Sequence, residues 1–294
     1  MRLTITGYST ALFSTWFFIE ELGLLFDAGD GLMAGLLQKS RKIKHVFISH
    51  ADRDHLMGLF QFNQLNAREG GFPIIHYPKD SGSFPAIASF VQKFDPHVPS
   101  ATWLPLSEGQ LIEIKSNVFV EAIKNGHIIA NPALTKSLSF HVYEKRRKLK
   151  PAFKSASGEE VRQAIAKHGQ DYVTDSIQSP INSYSGDTPL ESDGRWQNSR
   201  ILIHEATFLY KNSDDGTESS RNKHSTLEEV IEMVADTQVE KLILSHFSSR
   251  YSKEQIDVAI LELCQKYKLK IPVYRVLPGE IARDILNQEP ILTL

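Results

Sequence analysis

His45-Val46-Phe47-Ile48-Ser49-His50-Ala51-Asp52-Arg53-Asp54-His55 is the stretch that decides the fold. Residues 45–49 read as a continuous run of the kind a fully buried strand shows. The run ends directly at His50, and His50, Asp52, Asp54 and His55 then crowd into six positions. Carboxylate oxygen and imidazole nitrogen suit zinc, manganese or iron(II), and a strand-to-helix loop can aim several such groups at one point. The alternative is a polar loop that only caps the following helix, with Asp54 as the N-cap.

Outward from this stretch the same arrangement recurs. Residues 3–7 read as a strand, and 17–20 and 24–27 as a hairpin turning at Glu21-Leu22-Gly23. A short helix is expected over 32–39, a longer one over 56–66 before a break at Gly70-Gly71, a strand over 74–77 and a helix over 84–94. Strands over 119–123 and 138–143 flank a loop carrying His127. Residues 148–180 are the least regular part, with one helix expected over 159–167. Further apolar strands at 184–185, 201–203 and 241–244 run straight into Asp187, His204-Glu205 and His246, and helical spacing covers 227–235 and 253–267. His127, Asp187 and His246 therefore follow apolar strands as His50 does, which capping alone does not explain. The ligand set so assembled is what two metal ions need if one carboxylate bridges them. Alternating strands and helices, with polar groups just past strand ends, predict an α/β fold of two mixed sheets packed face to face with helices outside.

Composition sets the frame. With 294 residues, 41% hydrophobic and 23% charged, the chain has the make-up of a globular protein able to bury a large core. It is expected to form one domain over 1–294, with a variable loop or arm at about 144–182. The single cysteine, Cys264, lies in a helical pattern and reads as a buried structural thiol. A reducing, cytoplasmic setting is expected, with no leader peptide and no membrane span. A net charge of −2 gives no overall attraction to nucleic acid. Locally, five of the eight residues in Tyr143-Glu144-Lys145-Arg146-Arg147-Lys148-Leu149-Lys150 are basic, which suits either a solvated loop or an RNA-backbone contact.

His50-Ala51-Asp52-Arg53-Asp54-His55 resembles the His-x-His-x-Asp-His signature of metallo-β-lactamase-fold hydrolases. Ser185-Gly186-Asp187-Thr188, His204-Glu205-Ala206-Thr207-Phe208, His224-Ser225-Thr226 and His246-Phe247-Ser248-Ser249-Arg250-Tyr251 resemble, in order, the later motifs of RNase Z, the tRNA 3′-end endonuclease. The resemblance implies a metallo-β-lactamase αββα sandwich and two divalent ions, zinc or manganese with iron possible. One ion would sit on His50, Asp52, His127 and Asp187, the other on Asp54, His55, His246 and the bridging Asp187. A hydroxide held between the ions would attack phosphorus, with Asp54 accepting and orienting its proton. Glu205 and His224 resemble the family's dyad that protonates the leaving oxygen. Asp27 would steady the metal-bearing loops from behind, and Arg250 would contact a substrate phosphate. A tRNA precursor or another phosphodiester is the implied substrate, and a homodimer the implied assembly.

Two departures stand out. Asp52 occupies a position where the family has histidine, which makes that site harder and more negative and favours manganese or iron(II) over zinc. Residues 148–180 occupy the interval of the family's tRNA-gripping arm without an obvious Gly-Pro-rich tip. Rival readings are a hydrolase of the same fold acting on a thioester, lactone or cyclic nucleotide, and an RNA-binding relative whose metal site has decayed through Asp52. His204 is expected to point away from Glu205 by strand alternation and to be a core histidine.

Overall fold

Strands β1 (Ile5–Thr10), β2 (Ser14–Ile19) and β3 (Leu24–Phe26) pair antiparallel, and β4 (His45–Phe47), β5 (Ile74–Pro78) and β6 (Thr102–Leu106) continue the sheet in parallel. A second sheet runs β13–β12–β11–β10–β9–β8–β7. It comprises β7 (Leu111–Lys115), β8 (Val118–Lys124), β9 (Leu138–Leu149), β10 (Thr174–Tyr184), β11 (Leu202–Glu205), β12 (Leu242–Ser245) and β13 (Val273–Arg275). Its β10–β13 half is parallel and its β7–β10 half antiparallel, so both sheets are mixed. The computed structural model describes residues 2–66, 72–99, 101–191, 194–211 and 223–292; the Gly70-Gly71 break lies outside them.

Side-chain alternation builds three apolar layers from these strands. Phe17, Phe26, Phe47, Phe140, Tyr184, Ile203 and Ile243 fill the space between the sheets. There the Phe26 ring stacks on Tyr184 at 4.9 Å and on Phe140 at 5.7 Å between centroids. Their neighbours in sequence face outward. Phe18, Leu25 and Val46 meet α1 (Leu32–Leu36), α3 (Leu59–Leu65) and α4 (Ser83–Phe94), with Leu32, Leu36, Leu59, Phe62 and Phe84 in the contact. Leu202, Leu242 and Leu244 meet α7 (Leu227–Ala235) and α8 (Lys253–Lys266) through Val230, Ile231, Ile256, Ile260 and the buried Cys264. Each fully buried Phe, Leu or Ile contributes roughly 1.5–3 kcal/mol. The helix–sheet–sheet–helix sandwich expected from the sequence is therefore the observed architecture.

Residues 148–180 correct the expectation of irregularity. Strands β9 and β10 run on beyond the sandwich as a two-stranded arm, paired from Glu144↔Ser179 to Leu149↔Thr174. The arm ends in two short helices, α5 (Gly158–His168), held by a Ser157–Glu160 capping box, and α6 (Gln170–Val173). The basic run lies on β9 up to Leu149, with Lys150 just past its end, and not in a loop. Both faces of the arm meet solvent, so it carries none of the apolar alternation that marks a half-buried strand. Strands β6 and β7 escaped the sequence reading for the same reason, since most of their residues are exposed or half-exposed.

Parallel strands place the site. Asp27 follows β3, the 50–55 loop follows β4, Asp187 follows β10, Glu205 ends β11 and His246 follows β12, so the loops gather at one end of the sandwich. The 50–55 stretch runs into α2 (Arg53–Leu56), whose N-cap residue Asp52 makes no side-chain capping bond. Glycine is required where these loops touch. A Cβ on Gly58 would lie 2.2 Å from the Gly29 carbonyl oxygen, and one on Gly29 would lie 2.3 Å from that of Asp54.

Candidate metal centre

Asp187 is the hub. Its Oδ2 lies 3.2 Å from His55 Nε2, 3.2 Å from His246 Nε2 and 3.7 Å from His50 Nε2. Among the described residues the side chains form three overlapping groups, His50–His127–Asp187, Asp54–His55–His246 and Asp187–His224–His246, each with its ligand atoms within 4.8 Å of one another. Asp54 Oδ2 sits 3.5 Å from both His55 and His246. Asp52 Oδ2 lies 3.6 Å from His50 and 3.4 Å from His127, but its side chain is 54% exposed and stands outside all three groups.

The imidazoles are oriented from behind. His50 Nδ1 meets Ser49 Oγ at 2.9 Å, His55 Nδ1 meets Asp27 at 2.8 Å, His127 Nδ1 meets the Lys223 carbonyl at 3.0 Å and His246 Nδ1 meets Thr207 Oγ1 at 2.9 Å. This leaves the Nε2 atoms for the centre, and those of His50, His55 and His246 are buried with no hydrogen-bond partner. Such an unsatisfied nitrogen costs roughly 1–3 kcal/mol. A divalent cation accepts these lone pairs, so the donor set fits one.

Buried Asp27 accepts hydrogen bonds from Ser49 N (2.7 Å), Ser49 Oγ (2.8 Å) and Tyr184 Oη (2.5 Å) as well as facing His55. Its φ of +53°, like the +61° of His246, is a left-handed conformation that side chains other than glycine seldom adopt. Backbone strain is thus present at Asp27, which orients His55, and at His246 itself.

Charge balances across the cluster. Burial raises Asp54 and Asp187, yet the neighbouring imidazoles outweigh it and hold both below the usual carboxylate range. Hydrogen bonds from His127 and then His50 lower Asp52. Burial would depress His55 and His127, but Asp187 and Asp27 lift the first and Asp52 and Asp187 the second. His50, buried and beside His55, is lowered.

Beside this cluster Glu205 Oε1 accepts from His224 Nδ1 at 2.9 Å and from the Thr188 amide at 2.7 Å, while Thr207 Oγ1 donates to Glu205 Oε2 at 2.6 Å. Burial alone would depress His224; Glu205 and Asp187 reverse this and lift it to about 9. The α7 helix is capped by Thr226 with Glu229, so capping makes no use of His224. His204 turns the other way, its ring 5.6 Å from Trp196. Arg250 lines the same cleft as Leu12, Asp54, Asp187 and His224, with Nε donating to Ser248 Oγ at 3.1 Å and the guanidinium 5.9 Å from the Phe208 ring.

The structure brings His50, Asp54, His55, His127, Asp187, His246 and the Glu205–His224 pair together, with Asp27 buried behind them, Asp52 at the edge and Arg250 on the cleft wall. Sequence reasoning missed Ser49, Tyr184 and Thr207. Ser49, a polar residue closing an apolar run, was the one visible signal; Tyr184 and Thr207 look like ordinary strand and loop residues until the fold brings them to Asp27 and His246.

No protein-family model matches the chain. Among solved structures, human tRNase Z, short form, superposes with a TM-score of 0.60 at 17% identity, covering 95% of this chain and 98% of that one. Among curated proteins, the chloroplastic tRNase Z of Arabidopsis thaliana is 28% identical over 91% of this chain and 73% of its own length. The ribonuclease Z of Bacillus licheniformis is 30% identical over 84% of both chains. Sharing that identity along nearly its whole length, as well as the fold, the chain belongs to the ribonuclease Z family.

Proposed function

We propose that the chain is a metal-dependent endonuclease cleaving an RNA phosphodiester, with the 3′ side of tRNA precursors as its substrate. The observation that carries this reading is a set of histidine Nε2 atoms facing Asp187 beside the Glu205–His224 pair, in a ribonuclease Z chain. His50, Asp52, His127 and Asp187 would hold one divalent ion, and Asp54, His55, His246 and Asp187 a second. Bound there, such ions supply a water of lowered pKa and stabilise charge on the phosphoryl oxygens.

The chain's own groups do the rest. Asp54, steadied by the Leu12 amide 3.1 Å from its Oδ2, orients the attacking water and accepts its proton. His224, held protonated by Glu205, gives its proton to the departing oxygen. Arg250 meets a non-bridging phosphate oxygen at the cleft wall. Asp52, an oxygen donor open to solvent, favours manganese or iron(II) at its site relative to zinc. On the arm, Lys145, Lys148 and Lys150 join Arg146 and Arg147 as phosphate contacts for the RNA body. The proposal places the enzyme in the cytoplasm, where the buried Cys264 stays reduced. No described helix is long and apolar enough to cross a membrane.

Incubation with a tRNA precursor carrying a 3′ trailer tests the reading. Wild type removes the trailer in the presence of zinc or manganese, and Asp54→Ala slows removal by about 10²-fold. A wild-type protein that hydrolyses bis(p-nitrophenyl) phosphate but leaves the trailer intact rejects tRNA while retaining the chemistry. The implied homodimer belongs to the same proposal. Exposed Phe60, Phe90 and Phe94 cluster on α3 and α4, with Phe60 and Phe94 rings 4.8 Å apart, as an apolar face for a second copy. Sedimentation at the two-chain mass for wild type, and at the one-chain mass for Phe94→Glu, is expected; a monomeric wild type refutes it.

A further inference from the structure

Between β1 and β2 the chain turns at Ala11-Leu12-Phe13, and this turn presents apolar side chains to solvent at the mouth of the metal cleft. Leu12 is 88% and Phe13 62% exposed. Leu12 takes a left-handed φ of +71°, which a leucine adopts only when its surroundings impose it. The cause is visible. The Leu12 amide donates to Asp54 Oδ2, the Ala11 amide donates to the Phe247 carbonyl at 3.2 Å, and the Phe13 amide closes the turn on Thr10 O at 3.0 Å. Behind the turn, Gly29 packs so tightly against Ser14 and Thr15 that a Cβ would lie 2.4 Å from Ser14 Oγ. The exposed Phe13 is therefore keyed rigidly to the two loops that carry Asp54 and His246.

The turn is also a wall between two hollows. Leu12 lines the metal cleft, and Phe13 lines a neighbouring recess of about 430 Å³ with Tyr8, Trp16, Asp30, Gly35 and Ile281. Aromatic and small residues dominate this recess, no Lys or Arg lines it, and its charged member is the carboxylate of Asp30. A phosphate would be repelled there, whereas a planar uncharged ring with amino groups would find an aromatic face and an acceptor.

We propose that Phe13 is the stacking platform for the nucleobase next to the scissile phosphate, and that the recess behind it receives that base. The inference rests on the reading of the centre as an RNA phosphodiesterase. With the phosphate on the metal cleft, which Leu12 lines, the next residue Phe13 borders the recess, and stacking on an aromatic ring tolerates any base sequence. Phe13 is a binding residue in this scheme; it transfers no proton.

Titration with a short, phosphorothioate-linked single-stranded RNA carrying one 2-aminopurine reads the stack directly, without requiring turnover. Wild type is expected to quench the fluorophore on binding. Phe13→Ala is expected to lose most of the quench and bind roughly tenfold more weakly, the loss of one base–aromatic stack, and Phe13→Trp to restore both. Equal quench and affinity in wild type and Phe13→Ala overturn the proposal, as does a wild type that binds no RNA. Hydrolysis of bis(p-nitrophenyl) phosphate by wild type, measured in parallel, reports on the phosphodiesterase reading separately, so the two can fail independently.

Discussion

Replacing Asp187 by alanine is expected to lower RNA cleavage on the order of 10⁴-fold, to reduce the divalent ions bound per chain, and to remove the stabilisation those ions confer. The reasoning is geometric. Among the described residues no other carboxylate oxygen approaches all three of these nitrogens, 3.2 Å away on His55 and His246 and 3.7 Å away on His50. Its removal would take a ligand from each of the two proposed ions at once, and metal stabilisation of a phosphoryl transition state amounts to several kcal/mol, which converts to this range of rate. Ion binding to the folded chain also raises its melting temperature by mass action. Asp187→Ala should lose that zinc- or manganese-dependent rise, and the rise can be read without any substrate. Elemental analysis checks the stoichiometry. A variant that keeps the wild-type ion content and melting shift would remove Asp187 from the centre altogether. In the ion-free protein the same carboxylate partners imidazoles that it helps keep protonated, so the variant should also be less stable under acid conditions, when those imidazoles stay charged without their partner.

How much of this could be read in the sequence depends on what each residue does. The proposed ligand residues betray themselves because each stands just beyond an apolar strand, where a polar side chain has no packing role; His50, Asp187 and His246 were legible for that reason. The residues behind them were not. Tyr184 is fully buried among Phe17 and Phe26, and only the approach of β3 puts its hydroxyl 2.5 Å from Asp27. Thr207 becomes significant only because β11 and β12 lie side by side, which brings Glu205 and His246 to opposite sides of one hydroxyl. These are contacts between distant segments, with no local pattern to report them. The sandwich was legible because its strands alternate between a core and a helix layer. The arm was not, since β9 and β10 leave the core and the apolar code stops at about Tyr143. Phe13 was not legible either, because its place beside the centre depends on which loops the turn at residues 11–13 touches.

His224→Ala is the second large effect, about 10³-fold on RNA, and the identity of the leaving group decides its interpretation. A general acid contributes typically 10²–10⁴-fold when the departing oxygen needs its proton. An RNA ribose alkoxide needs one; p-nitrophenolate, a weak base, does not. The same variant should therefore lose no more than about tenfold on bis(p-nitrophenyl) phosphate. Equal losses on both substrates would make His224 a structural or metal-positioning residue instead. The pH profile supplies an independent readout. His224 must be protonated to act, so activity is present below its pKa and falls as pH rises through it. Glu205 and Asp187 lift that pKa from the ordinary 6.5 to about 9 against the opposing effect of burial. Bound cations act in the other direction, placing the alkaline limb of the loaded enzyme below 9. Glu205→Gln removes the nearest anion while keeping the shape, so burial and the cations prevail and the limb moves further toward acid. That variant should then be more nearly active at pH 6 than at pH 8. The pairing's contribution to stability follows the same sign, full below about 6.5 and gone once pH has risen through about 9. An alkaline limb unmoved by Glu205→Gln would assign it to another group and would leave the Glu205–His224 contact, 2.9 Å long and buried at its carboxylate end, as a structural pair alone.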